Sequence, residues 1–353
     1  MFTEFFLGAN SAHGFHSFYN ELINLKEAEK VYILKGGPGS GKSSIMRRIS
    51  EAATKSGEAV EKYLCSSDPA SLDAIVIPSR KVAVVDGTSP HIIEPTYPLA
   101  VEEYINLGEF ADCEAIKTKK REIQSVRDDY STYFPHIYEL TASAAHLDNE
   151  LFDIALGATS IDKLHKKAAG IIKREIRGKG SKSDIKHRFL SAFSREGIHS
   201  LTNVNTNNFT SFFVLEDSFG LGQFILSPIL SAALAADFSC IACQNHLIPE
   251  KLDHLLIPEL SLAFITTNAL LPFSGKYTKK IRLDSGLDRD IMKREKERVS
   301  RLRKSRKLIF DDISSLMQKA KLVHDDLESL YNPYIDFDAI YNLADGLSEK
   351  ILK

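Results

Sequence analysis

The sequence predicts an α/β protein built as two copies of one unit, on three observations. A glycine-rich stretch, Gly36-Gly37-Pro38-Gly39-Ser40-Gly41-Lys42-Ser43, sits between an apolar run and a helix-forming run. The second half of the chain repeats the first. After each copy comes a long charged segment whose apolar residues fall at alternating three and four spacing.

The first element is the run Val31-Tyr32-Ile33-Leu34, which reads as a buried strand entering the glycine-rich stretch, and Ser44-Ile45-Met46-Arg47-Arg48-Ile49 reads as the helix leaving it. The stretch satisfies G-x-x-x-x-G-K-[ST] without mismatch, in the strand-loop-helix context that the phosphate-binding pattern needs. Gly36, Gly37, Pro38, Gly39, Ser40, Gly41, Lys42, Ser43 and Ser44 are therefore the expected nucleotide-binding residues. Loop positions without a Cβ let backbone N–H groups turn inward on a phosphate, and the helix starting near Lys42 adds its positive dipole end. Lys42 would reach the β- and γ-phosphates, and the Ser43 hydroxyl would ligate Mg²⁺.

Next, the segment 59–64 reads as a strand, and Cys65-Ser66-Ser67-Asp68-Pro69 follows it. Asp68 is a candidate general base at a strand end, or simply the start of an Asp-Pro turn. Val82-Ala83-Val84-Val85-Asp86 is a second buried strand ending in a carboxylate, the expected holder of the Mg²⁺ shell. His91 and Glu94 follow in a polar segment and are candidates to lie near the attacking water.

The internal repeat serves as a control. Phe6–Phe18 aligns with Phe189–Leu201, Val31–Ala52 with Phe212–Ala233, and Leu72–Val85 with Leu252–Ile265. Scaffold residues persist, with Gly39 and Gly41 recurring as Gly220 and Gly222 and Ile77-Pro78 as Ile257-Pro258. Chemical residues do not: Lys42 becomes Gln223, Ser43 becomes Phe224, Gly36 becomes Asp217, Asp86 becomes Thr266, His91 becomes Leu271 and Glu94 becomes Ser274. A carboxylate without a lysine repels a triphosphate, so one working site is expected, in the first copy. His16 recurs as His199 and reads as structural, and Gly14 and Gly197 read as turn glycines.

The first arm carries Ile116, Ile123, Val126, Tyr130, Tyr133, Ile137, Leu140, Ala144, Leu147, Leu151 and Ile154 along one seam, interrupted by Pro135. The second carries Leu302, Ile309, Ile313, Leu316, Ala320, Val323, Leu327 and Leu330. Helical hairpins or one shared bundle are expected, with a basic link, 174–186, exposed and mobile between the repeats. The second arm is also basic, from Lys293 through Arg301, Arg303, Lys304, Arg306 and Lys307. That stripe is a solvated face, a patch for nucleic acid, or a lid bringing arginines to the nucleotide in the first half.

Composition sets the outer bounds. With 353 residues, 43% hydrophobic and 26% charged, two cores are expected, and a net charge of −2 confines any nucleic-acid binding to a local patch. The four cysteines, Cys65, Cys113, Cys240 and Cys243, lack paired zinc spacing and read as reduced and buried. No basic start, export core or apolar run of about 18 residues is found, so a cytoplasmic protein with no membrane span is expected.

With GGPGSGKS, CSSDP, LDAIVIP, VAVVDGTSPH, HRFL and LIPEL on the page, the chain resembles, over nearly its full length, a family of bacterial tandem P-loop proteins. Its members look like ATPases or nucleotide-kinase relatives, and their second half can keep its own phosphate loop. The resemblance implies the P-loop fold and ATP binding. The expected fold is thus a tandem duplication of a P-loop NTPase domain, each a mainly parallel sheet flanked by helices with a helical hairpin or coiled-coil arm. The expected domains are 1–111 (active core), 112–183 (arm and linker), 184–285 (degenerate core) and 286–353 (basic arm). The expected function is Mg-ATP binding, with ATP hydrolysis coupled to a change between repeats. The alternatives are a small-molecule or nucleotide kinase with Asp68 or Glu94 as base, and an ATP-gated module gripping nucleic acid or protein through the arms. ATP is the default base because no guanine-selecting N-K-x-D occurs.

Overall fold

The computed structural model describes residues 4–203 and 209–353. Its elements form two matching series. The first runs β1 (Glu4–Phe5), β2 (Gly8–Ser11), β3 (Gly14–Ser17), β4 (Lys30–Lys35), α1 (Lys42–Lys55), β5 (Glu61–Leu64), β6 (Leu72–Ile77), β7 (Val82–Asp86) and β8 (Glu102–Asn106). Its arm is α2 (Cys113–Thr118), α3 (Lys120–Gly157) and α4 (Ile161–Glu175). The second runs β9 (Ile185–Arg188), β10 (Ser191–Ser194), β11 (Gly197–Ser200), β12 (Ser211–Glu216), α5 (Gln223–Ala235), β13 (Cys240–Gln244), β14 (Leu252–Ile257), β15 (Leu262–Thr267) and β16 (Lys279–Arg282). Its arm is α6 (Arg289–Arg294), α7 (Lys296–Tyr331) and α8 (Phe337–Leu352). The arms align without a gap, Cys113 with Arg289, Lys120 with Lys296 and Ile161 with Phe337.

Two six-stranded sheets share one strand order, β1-β5-β6-β7-β4-β8 and β9-β13-β14-β15-β12-β16. They are mixed, where the sequence suggested mainly parallel sheets. β6 runs antiparallel to β5 and β7, and β14 antiparallel to β13 and β15. The cause is local. Only residues 78–81 separate β6 from β7, a single 3₁₀ turn closed by Lys81 at φ 55°, and residues 258–261 repeat it with Ser261 at φ 48°. A parallel return would need a crossover of roughly a dozen residues or more.

The described residues divide into two compact units: a first of 4–8, 17–136 and 315–353, and a second of 9–16, 137–203 and 209–314. Each sheet is therefore covered by a helix from the arm of the other repeat. In the first unit Ile45, Met46, Ile49 and Ala53 of α1 share a core with Ile340, Ala344, Leu347 and Ile351 of α8. In the second, Ile225, Leu226, Ile229 and Ala233 of α5 share one with Leu164, Ala168 and Ile171 of α4. The sequence suggested helical hairpins or one shared bundle and did not say which sheet each arm covers. A 38-residue helix such as α3 is about 57 Å long at about 1.5 Å per residue, so the helix after it starts far from the sheet before it. α3 continues through Pro135.

Smaller expectations divide. Gly14 and Gly197 do sit at left-handed turns, φ 95° and 98°, in the hairpins β2–β3 and β10–β11, each accepting a hydrogen bond from Ser11 or Ser194 Oγ. His16 packs edge-on against Phe189. The link 174–186 is fastened rather than loose: Gly180 N donates to Ala236 O, Ser181 N and Oγ to Glu259, and Lys182 O accepts from Ser239 Oγ. All four cysteines are free thiols, but only Cys240 and Cys243 are buried; Cys65 is half-buried and Cys113 exposed. Burial pushes the Cys240 thiol up to about 12 and raises Cys243 also. Among the described residues no helix is long and apolar enough to cross a membrane.

Candidate functional site

The glycine-rich loop leaves the buried strand β4 and ends where α1 begins at Lys42. Gly39 and Gly41 adopt left-handed backbone, φ 69° and 80°, which a side chain would strain. A Cβ at Gly36 would lie 2.5 Å from Ser40 Oγ, so the loop closes tightly on itself. Lys42 Nζ donates to Gly36 O (2.9 Å) and Gly37 O (3.0 Å) and stands 3.7 Å from Asp86 Oδ2. The sheet register explains the last contact: β7 lies beside β4 with Asp86 opposite Leu34, so the carboxylate emerges next to the loop. Thr88 N and Oγ1 both donate to Asp86 Oδ1, fixing the side chain. Ser43 Oγ accepts from Leu72 N at 3.0 Å, and Ser40 Oγ is buried without a partner.

Lys42, Ser43 and Asp86 are thus brought together, and the other predicted residues have partners of their own. His91 is buried, stacked on Tyr19 at 4.5 Å, with Nε2 3.4 Å from Asp73 Oδ2. Tyr19 Oη donates to the same carboxylate at 2.7 Å. Burial pushes Asp73 above the ordinary carboxylate range, and His91 and Tyr19 draw it part of the way back. Glu94 is exposed and faces Tyr104 Oη (2.5 Å) and Lys35 Nζ (4.0 Å). Asp68 Oδ2 lies 3.5 Å from Lys321 Nζ and 3.4 Å from Ser71 Oγ.

Lys321 belongs to the end of α7, which lies along the loop within the first unit. A Cβ on Gly37 would meet the Tyr331 ring at 3.6 Å, and one on Gly39 would meet Glu328 Cβ at 3.3 Å. Asn332 donates its side-chain amide to Gly39 O (3.1 Å) and Glu328 O (3.3 Å) in the orientation that satisfies both of its ends. His324 Nδ1 is 3.8 Å from Glu328 Oε1. Burial lowers the His324 pKa, Glu328 opposes that, and Lys321 and Lys42 add to it. Burial also works against the Lys321 ammonium, but Asp325 and Asp68 outweigh it and hold its pKa above the ordinary lysine value. His324, Asp325 and Glu328 could together face a cation, although Lys321 already pairs with Asp325.

Sequence reasoning missed these residues because it treated α7 as a repeated seam. A signal existed. Lys321, Glu328 and Tyr331 occupy the places of Ala145, Phe152 and Ala155 in the other arm, and the contact between Gly39 and Glu328 recurs as one between Gly220 and Phe152. The expected arginine lid takes another form. Arg303 lies over Phe219, 4.8 Å from the ring centre, and Arg306 pairs with Asp148, both in the second unit.

The loop of the second unit is filled by its own chain. Asp217, where the first loop has Gly36, is buried and accepts hydrogen bonds from Phe219 N (3.1 Å), Leu221 N (3.0 Å) and Gly222 N (2.6 Å). A carboxylate occupies the backbone donors that an incoming anion would use. Burial raises the Asp217 pKa, and those three N–H groups counter it. The surrounding cleft holds His246, His254, Lys251, Asp253 and Arg306.

No family model, curated protein or solved structure matches this chain.

Proposed function

We propose that the chain is a Mg-ATP-binding P-loop NTPase with one working site, in the first unit, and that it hydrolyses ATP. The observation that carries this reading is the convergence of Lys42 Nζ on the Gly36 and Gly37 carbonyls with the Asp86 carboxylate 3.7 Å away. The residues fit the ligand. A lysine at the mouth of a glycine cradle, a buried Ser40 hydroxyl without a partner, a helix N-terminus and a neighbouring carboxylate suit a polyphosphate with its metal. Ser43 and Asp86 are the groups to hold Mg²⁺, which would neutralise charge on the phosphates. Lys42 orients the β- and γ-phosphates, and the loop N–H groups hold them in place.

The second unit takes a structural or regulatory role in this reading, because Asp217 already satisfies its loop. The gated nucleic-acid module is less favoured: Arg298 and Arg306 of the basic stripe pair with Glu150 and Asp148, which lowers the charge free for phosphates.

The test is γ-labelled Mg-ATP with the purified protein beside Lys42→Ala, scored for where the label goes. Lys42-dependent release of free phosphate supports hydrolysis. Label on an added nucleoside or metabolite would make the protein a kinase instead. Equal binding and turnover by Lys42→Ala would remove the first loop as the working site.

A further inference from the structure

We propose that Lys321, on α7, is a second phosphate-directed cation of the first unit's site, with Asp68 as its positioning residue. This rests on the nucleotide reading of the loop. Three observations carry it.

The first is placement. Lys321, His324 and Glu328 follow one face of α7 at helical spacing, and that face lies on the glycine loop, with Glu328 against Gly39 and Tyr331 against Gly37. Lys321 is only 18% exposed, held between Asp68 at 3.5 Å and Asp325. Asp68 opens the short connection that ends at Leu72, whose N–H donates to Ser43 Oγ at 3.0 Å. Asp68, Lys321 and the Ser43–Asp86 side of the loop therefore belong to one corner.

The second is joint replacement inside one chain. Pro69 and Leu72 recur as Pro249 and Leu252, which puts Ile248 in the place of Asp68, and Ala145 stands in the place of Lys321. Both partners of the pair are lost in the unit whose loop has lost Lys42. The apolar residues between them are kept: Ala320 as Ala144 and Leu327 as Leu151, all buried. A pair needed only to dock the helix would be expected to survive with the docking residues.

The third is chemistry. A lysine paired with a carboxylate stays charged and aimed without being spent on the phosphate cradle, and it can exchange Asp68 for a more highly charged oxygen group. Asp68, 3.5 Å from the Lys321 ammonium, is placed to hold it in position. Lys321 makes and breaks no covalent bond. In hydrolysis a water oxygen would form the new bond to the terminal phosphorus and release its proton to solvent, the electron pair of the broken P–O bond would stay on the diphosphate, and Lys321 would offset charge on the phosphoryl group in transit.

The test is nucleotide binding by calorimetry, which does not depend on turnover, for wild type, Lys42→Ala, Lys321→Ala and Lys321→Arg with Mg-ADP and with a non-hydrolysable Mg-ATP analogue. The wild type should prefer the triphosphate by about tenfold, the size of one charge-assisted contact. Lys321→Ala should reduce that preference several-fold with Mg-ADP affinity retained, the remainder coming from Lys42, and Lys321→Arg should keep more of it. An unchanged preference in Lys321→Ala overturns the proposal. So does equal loss of both nucleotides, which would make Lys321 a scaffold residue. Wild type that binds neither nucleotide overturns the underlying reading, whereas loss of binding in Lys42→Ala with Lys321→Ala unaffected removes this inference alone.

Discussion

The two loops of this chain join matching strands and helices and differ in what fills them. In the first unit the loop carbonyls hold a lysine, Lys42, and the neighbouring strand ends in Asp86. In the second the loop N–H groups hold a carboxylate, Asp217, and the neighbouring strand carries Thr266. One concavity presents a cation towards its mouth and the other has satisfied its own donors. The loop N–H groups of the second unit are met within the chain, because backbone donors cost free energy only if nothing meets them, and an acidic side chain can meet them.

The largest effect that would sharpen this comparison is at Lys42. Lys42→Ala should weaken Mg-nucleotide binding by about 100-fold or more, since it removes a charge-assisted contact to the phosphates, whereas Gln223→Ala in the second loop should leave nucleotide titrations unchanged. Equal effects at the two positions would break the asymmetry.

Next is the exchange of covering helices. Ile340 of α8 and its counterpart Leu164 of α4 are both buried, at 0% and 4% exposure. Truncating either to Ala should cost about 3 kcal/mol, within the range for a large aliphatic core residue. Hydrogen exchange should locate the loosening in the first unit for Ile340→Ala and in the second for Leu164→Ala. The reverse pattern would show that each arm serves its own repeat.

Acid should separate the units further. His246 and His254 are held down to about 4 and about 3 by burial, so in the folded second unit they stay neutral. Their contribution is fully present above the unfolded value near 6.5 and is lost as pH falls towards those folded values. Asp253, raised to about 7 by burial, works the other way and regains stability as pH falls from 7 towards 4. Asp217, which burial also raises, acts with Asp253, so the loss driven by the two histidines is partly offset between about pH 6.5 and 4. In the first unit Ser66 and Ala74 replace the two histidines and the raised Asp73 favours acid, with only the lowered His324, among the described residues, acting as the two histidines do. Hydrogen exchange at pH 4.5 should therefore show the second unit opening first.

The smallest expected effect is at Asp217. Asp217→Gly, which restores the glycine of the first loop, should lower the stability of the second unit by about 2 kcal/mol, the value of hydrogen bonds to a charged group less its desolvation. In a Lys42→Ala background inorganic phosphate should recover part of that loss, seen as a rise in melting temperature that the Lys42→Ala protein alone lacks.

The core of the site was legible because it is local. G-x-x-x-x-G-K-[ST] is a contiguous pattern whose glycines answer to backbone conformation, and Asp86 could be found because a buried strand ends there. The partners of His91 were not legible, because nothing in its neighbours in sequence reveals the Tyr19 and Asp73 that enclose it. The end of α7 was missed for a stronger reason. Lys321 and Asp68 are 253 positions apart in the chain, and a seam with heptad spacing says that a helix packs without saying on what.

The sequence alone determined the duplication, the strand-loop-helix around Lys42, the exchange of Lys42 for Gln223 and of Gly36 for Asp217 in the second loop, and the positions of the long helices, since each is read from local pattern or from the repeat itself. Tertiary structure decided the rest: the antiparallel β6 and β14, the crossing of α8 and α4 to the opposite repeats, the Asp217 carboxylate inside its own loop and the Lys321 face on the other. Those outcomes depend on which buried surfaces meet, and many pairings of equal hydrophobicity satisfy the same one-dimensional pattern until the chain closes on one of them.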